Sequence, residues 1–166
     1  MLIDAEDYDE ITGERIIDKH YLLLYLPMDD NISLRKQASV YASKNNLQIM
    51  EINTKLKTSI SGVDICFGTA GIQEFLSAIK YADVVFTNSF HAICFSIIFH
   101  VEFYAFSRTN AGKVKDICDT LKLKDRFFED NVFRESNFID YNSVMEELKK
   151  MRNISKNWID KALRGY

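Results

Sequence analysis

Asp83-Val-Val-Phe-Thr-Asn-Ser-Phe-His-Ala-Ile-Cys-Phe-Ser-Ile-Ile-Phe99 joins a run suited to a buried strand to a run suited to a buried helix through a short polar junction. Asp83 to Thr87 is β-branched and aromatic, the composition of a strand covered on both faces of a sheet. Ala92 to Phe99 is almost wholly apolar, so the short side chains of Asn88 and Ser89 fall where a helix needs its N-cap. The junction therefore predicts strand, turn and helix, with Asn88, Ser89 and His91 at the carboxyl end of the strand. There they stand beside the free amides and positive dipole end of the helix, a seat for an anion, and open α/β sheets bind ligands along that edge. A purely structural account fits the same residues, Asn88 and Ser89 capping and His91 being a satisfied core histidine; spacing alone does not choose.

The pattern repeats on both sides of this junction. Tyr21-Leu-Leu-Leu-Tyr-Leu26 is a continuous apolar run ended by Pro27, as in a central parallel strand, and a turn is expected over Met28-Asp-Asp-Asn31. Leu34, Ala38 and Tyr41 follow at helical spacing, with Lys44-Asn45-Asn46 as the stop. Leu47 to Ile52 and Val63 to Phe67 are the next strands, separated by a polar stretch over 53–62. After Gly68-Thr-Ala-Gly71, the stripe Ile72, Phe75, Leu76 and Ile79 predicts a helix starting near Gly71. Its two glycines permit close phosphate approach but lack dinucleotide or P-loop spacing, and a simple tight turn is the better explanation of them. Glu102 to Phe106 is a further strand, then a polar loop over 107–112, then Val114, Ile117, Cys118 and Leu121 at helical spacing. Arg108 and Lys113 thus fall on the same sheet edge as His91, or are plain solvated charges. A long helix from about Tyr141 to Leu163 carries Val144, Leu148, Met151, Ile154 and Trp158 as one stripe. Strand and helix alternate at least four times, which predicts an α/β fold with a doubly wound parallel sheet.

The whole chain sets limits on function. Its 166 residues, 47% hydrophobic and 27% charged, describe one ordinary globular domain over 20–166, preceded by an acidic linker or tail over 1–19. A net charge of −3 argues against gripping nucleic acid through its phosphates. Cys66, Cys94 and Cys118 show no paired spacing, and His20, His91 and His100 are too scattered for ligand pairs, so no metal is expected. No apolar run approaches the ~20 residues of a membrane span, and the start lacks a signal pattern, so a cytoplasmic protein is expected.

Three blocks, Gly71-Ile-Gln-Glu-Phe-Leu-Ser-Ala-Ile-Lys80, Ala82-Asp-Val-Val-Phe-Thr-Asn-Ser-Phe-His91 and Phe95-Ser-Ile-Ile-Phe99, resemble the carboxyl-terminal half of the polysaccharide pyruvyl transferase family. Members typically read Gly-Pro-Glu-Glu-Phe-Leu, an Ala-Asp strand, Thr-Asn-Ser-Phe-His-Gly and a Ser-Ile-Ile run, and the resemblance covers roughly residues 20 to 127. It implies a GT-B type fold of two Rossmann-like halves facing across a cleft, this chain being the second half. It also implies a transferase of exopolysaccharide biosynthesis that moves the carboxyvinyl carbons of phosphoenolpyruvate to a sugar or lipid-linked glycan, closing a pyruvate ketal without a cofactor. His91 is then the expected acid/base; Asn88, Ser89, Gly71, Glu74, Arg108 and Lys113 are the expected substrate-binding residues.

An active site shared with a missing amino-terminal half or partner chain leaves the isolated chain inactive, and a face uncovered by that half favours a homodimer. The sequence departs from the family at Ile72, at Ala92 in place of glycine, over His100-Val-Glu-Phe103 in place of a basic turn, and at Lys113 in place of arginine. A Cβ at Ala92 is expected to hinder anion approach, and Glu102 to remove a cation near the site. Two alternatives stay open: the nucleotide-sugar half of a GT-B glycosyltransferase, and a non-catalytic module that binds a glycan or partner.

Overall fold

The computed structural model describes residues 3–27, 31–53, 60–108 and 111–164. The expected turn over Met28–Asp30, most of the stretch 53–62, and Asn110 lie outside them. Strands β1 (Tyr21–Tyr25), β2 (Gln48–Ile52), β3 (Ile65–Phe67), β4 (Val84–Thr87), β5 (Glu102–Phe106) and β6 (Phe127–Phe128) alternate with helices α1 (Ile32–Lys44), α2 (Ile72–Lys80), α3 (Phe90–Ile98), α4 (Gly112–Thr120) and α5 (Tyr141–Arg164). The sheet runs β3-β2-β1-β4-β5-β6 and every pairing is parallel, the order of a Rossmann-like α/β fold.

The faces follow from alternation along each strand. Leu22 and Leu24, in line with Ile49, Val84 and Phe86, pack under Leu34, Ala38 and Ala42 of α1. Tyr21, Leu23, Met50, Val85 and Phe103 face Ala78 and Ile79 of α2, Ile93 and Ile97 of α3, and Val114 and Ile117 of α4. Right-handed crossovers dictate this division: the chain moves one way from β1 to β2 over α1, and the opposite way from β3 onward over α2, α3 and α4. Both faces of β1 are therefore covered, and each wholly buried leucine contributes about 1.5–3 kcal/mol.

Three features differ from what periodicity predicts. The two-residue strand β6 extends the sheet beside β5, and the segment after it lays Phe133 against Tyr41, Phe86 and Tyr104, closing the face that α1 leaves open. Arg126, 1% exposed, donates to Glu102 (2.8 Å) and to the Asn137 carbonyl, and its guanidinium lies 5.0 Å from the centre of the Tyr104 ring. Glu102 also accepts from Ile139 N at 2.7 Å, so this ion pair clamps the returning chain to the sheet. The stripe of α5 is covered only over its first half: Val144 and Leu148 are buried, whereas Ile154 and Trp158 are each 71% exposed.

Residues 3–19 lie against the helical layer. Tyr8 meets Phe95 and Phe99 edge-on at 5.3 and 5.9 Å, Ser77 Oγ donates to the Glu14 carbonyl at 2.5 Å, and Lys80 pairs with Asp9 at 2.6 Å. Arg152 of α5 reaches Asp4 and the Ile3 carbonyl. The acids of this stretch are thus partly neutralised by cations on α2 and α5, while Ile16 and Ile17 pack on the core.

Two outcomes are expected. Arg126→Met strands the half-buried Glu102 carboxylate and lowers unfolding free energy by about 3–5 kcal/mol in urea titration, whereas adding Glu102→Gln recovers a large part. Burial holds the Tyr41 phenol up to about 12 and raises those of Tyr25 and Tyr104 from the ordinary value of 10.0. The unfolded chain ionises first, so this stabilisation is complete below about pH 10 and is lost as pH climbs towards 12. Phenolate absorbance and loss of circular dichroism should rise together in that window.

Candidate functional site

The strand order reverses between β1 and β4, so the loops leaving their carboxyl ends diverge and open a crevice. A cavity of about 510 Å³ occupies it, lined by Tyr25 at the end of β1, Ile52 at the end of β2 and Asn53 after it, Gly68, Ala70 and Gly71 after β3, and Ser89 and His91 after β4. Ile72, Phe75 and Leu76 of α2 and Phe95 of α3 complete the wall.

Local hydrogen bonds fix this mouth. The buried Thr87 hydroxyl donates to the Tyr25 carbonyl at 2.6 Å and accepts from Ser89 N at 3.0 Å, tying the ends of the two central strands together. Ser89 is the N-cap of α3 and accepts from Ala92 N at 3.4 Å. Asn53 N donates to the Phe67 carbonyl at 3.0 Å, and its side-chain amide donates to Cys66 Sγ at 2.9 Å, so β2 and β3 are joined in the same way. Burial raises the Tyr25 phenol above its ordinary value, which keeps it a neutral hydroxyl.

Two helix N-termini face the crevice, and their charges distinguish them. At α2 the Glu74 carboxylate folds back to accept from Gly71 N at 3.0 Å, so a fixed negative charge already meets that dipole end. The first turn of α3 has no acidic residue, and the geometry of a helix leaves its leading amides, those of Phe90 and His91, without intrahelical acceptors. The end of α3 is therefore the one able to take an anion. His91 rises exposed from that turn into the cavity.

The structure brings His91, Ser89 and Gly71 together around the cavity. Asn88 is buried directly before them, and Glu74 caps beside the rim. Arg108 and Lys113 are exposed on the same edge, after β5 and in the first turn of α4, outside the lining. Among the described residues the lining holds no Lys, Arg, Asp or Glu. On the α1 side, the half-buried Arg35 is engaged by Glu51 through a two-point contact at 2.7 and 3.0 Å.

Neither family departure of concern lines the crevice. Ala92 is wholly buried in the helical-layer core, so its Cβ packs inward. Glu102 opens β5 at the amino edge of the sheet, the end opposite His91, where it holds Arg126.

Tyr25, Asn53, Phe75 and Phe95 were not foreseeable as lining from periodicity, since each reads as the end of a strand or as part of an apolar stripe. A polar residue immediately after a buried strand, as at Asn53, was the available signal. Cys118 is buried, its thiol pushed up to about 12 mainly by desolvation, and burial also raises Cys94. Among the described residues no group of three His, Cys, Asp or Glu could hold a metal, and no helix is long and apolar enough to cross a membrane.

The family model of polysaccharide pyruvyl transferases matches residues 4–110, which spans β1 to β5 and every element around the cavity. The chain belongs to the polysaccharide pyruvyl transferase family. No curated protein matches it. Among solved structures it is similar to UDP-GlcNAc 2-epimerase of Methanocaldococcus jannaschii, crystallised with UDP-GlcNAc and UDP, at 14% identity and a TM-score of 0.48. That match covers 89% of this chain and 41% of the epimerase, so the chain spans less than half the length of that protein.

Within this pyruvyl transferase family member, Thr87→Val should cost about 1–3 kcal/mol, because it leaves buried partners at Tyr25 and Ser89 unsatisfied. Faster hydrogen exchange at Ser89 than at core amides of β4 would accompany it; an unchanged Ser89 rate would show that the hydroxyl does not hold the mouth.

Proposed function

We propose that this chain is the donor-side half of an enzyme that transfers the pyruvyl group of phosphoenolpyruvate to two hydroxyls of a glycan. The observation that carries the reading is His91 standing over the acid-free N-terminus of α3 inside the cavity, within the stretch that matches the family. Phosphoenolpyruvate has an anionic phosphate and carboxylate, and a helix end with free amides suits one of them.

The reaction adds one sugar hydroxyl to C2 of the enol phosphate. That forms a C2–O bond while the hydroxyl's proton is lost and C3 gains one, becoming a methyl group. A second hydroxyl then bonds to C2 as the C2–O bond to phosphate breaks, and its proton leaves with the phosphate. Each step requires a group able both to give and to accept a proton near neutrality, which imidazole does. His91 is the residue assigned to that role. Ser89 and Asn88 hold the turn, and Gly71 with Glu74 shapes the opposite rim. Arg108 and Lys113 stand outside the lining and act as a basic flank that attracts the anion.

Cations for the departing phosphate are expected from a facing amino-terminal half or partner chain, since the described lining of this half has none. The chemistry calls for no cofactor, since the donor is itself the activated group. A nucleotide sugar in this cavity would place its diphosphate at the same helix end, and competition separates the two donors.

His91→Ala, introduced at the gene in the native cell, should reduce the pyruvate-ketal methyl signal of the surface glycan by roughly 10²–10⁴-fold in formation rate, with protein abundance unchanged. Proton NMR of the extracted polymer is the readout. An undiminished ketal signal would remove His91 from the chemistry.

A further inference from the structure

The cavity is larger and less polar than phosphoenolpyruvate alone requires. That molecule has ten non-hydrogen atoms. Even at the ~30 Å³ that a water takes in the liquid, they fill roughly 300 Å³. The cavity measures about 510 Å³. One wall of the cavity is a row of aromatic rings. Tyr25 meets Phe75 at 5.1 Å, and Phe75 meets Phe95 at 6.1 Å, each edge to face. Tyr8 and Phe99 brace Phe95 from outside the cavity, so the row has fixed support. Ile72, 77% exposed, forms its outer rim.

Apart from the Tyr25 hydroxyl, this row offers an anion neither a cation nor a hydrogen-bond donor. The occupant must be neutral and must present apolar C–H surface on one side and hydroxyls on another. A pyranose ring has that character: axial C–H bonds pack on an aromatic face, while the hydroxyls turn towards Asn53, Ser89 and His91. Proximity leads to the same place. A reacting hydroxyl has to come within about 3–3.5 Å of C2 of the donor, and the donor's anionic end is held at α3. The sugar must then share this cavity at the moment of transfer.

We infer that the row Tyr25, Phe75 and Phe95 is a subsite for the neutral pyranose ring of the acceptor, so this half holds the reacting sugar as well as the donor. The inference rests on the pyruvyl-transfer reading of the cavity. It makes Phe75, at the centre of the row, a specificity-determining residue.

The test is a set of NMR titrations of the chain with methyl β-D-galactopyranoside, methyl β-D-glucopyranoside, methyl α-D-mannopyranoside and uridine, each with and without phosphoenolpyruvate. At least one glycoside should shift the ring signals of Phe75 and Phe95 and receive saturation at its own ring protons. Phe75→Leu should weaken that binding roughly three- to tenfold, leaving the amide shifts that phosphoenolpyruvate induces over 89–92 in place. If Phe75→Leu does not fold, Ile72→Ser on the exposed rim should produce a smaller loss in the same direction. Rings unmoved by every glycoside, or moved by uridine alone, would overturn the subsite. Glycoside shifts without any response to phosphoenolpyruvate would uphold the sugar subsite while removing the donor assignment.

Discussion

The divergence of the chain on either side of β1 is the constraint on which the rest depends. β1 and β4 are paired parallel and buried on both faces, yet the connections leaving them turn to opposite sides of the sheet. Polar side chains at these two strand ends cannot be covered by a continuing helix, so they line a crevice. The Thr87 hydroxyl holds that divergence to one geometry by bonding to Tyr25 and Ser89 at once. The cap of α3, His91 on its first turn and the end of β1 at Tyr25 all adjoin this link.

Electrostatics then divides the crevice. One helix end is already occupied by the Glu74 carboxylate, and the other is free of acids. The walls between them are aromatic and aliphatic, and the described lining carries no full charge. A weakly screened dipole in such a setting acts more strongly on an anion than it would in water.

Much of this was legible in the sequence because burial and spacing act locally. The runs 21–26 and 83–87 fit covered strands, the Asn88-Ser89 pair suits the start of a helix, and His91 falls at their junction. What escaped depends on contacts between distant residues. Glu102 reads as a lost cation until Arg126, 24 positions later, is seen to take it at the far edge of the sheet. The strand β6 has two residues, too short for any period to register. The acids before residue 15 read as a solvated tail because their partners, Lys80 and Arg152, lie on helices formed much later in the chain. The α5 stripe is real as a pattern, but only tertiary packing shows that its second half emerges uncovered.

The most direct test is a crystal structure of the chain with phosphoenolpyruvate. The account places one anionic group of the ligand within hydrogen-bond distance of the Phe90 and His91 amides, with C2 directed towards the His91 ring and the methylene side open to the aromatic wall. Phosphoenolpyruvate bound instead beside Arg108 and Lys113, with the α3 terminus empty, would contradict it.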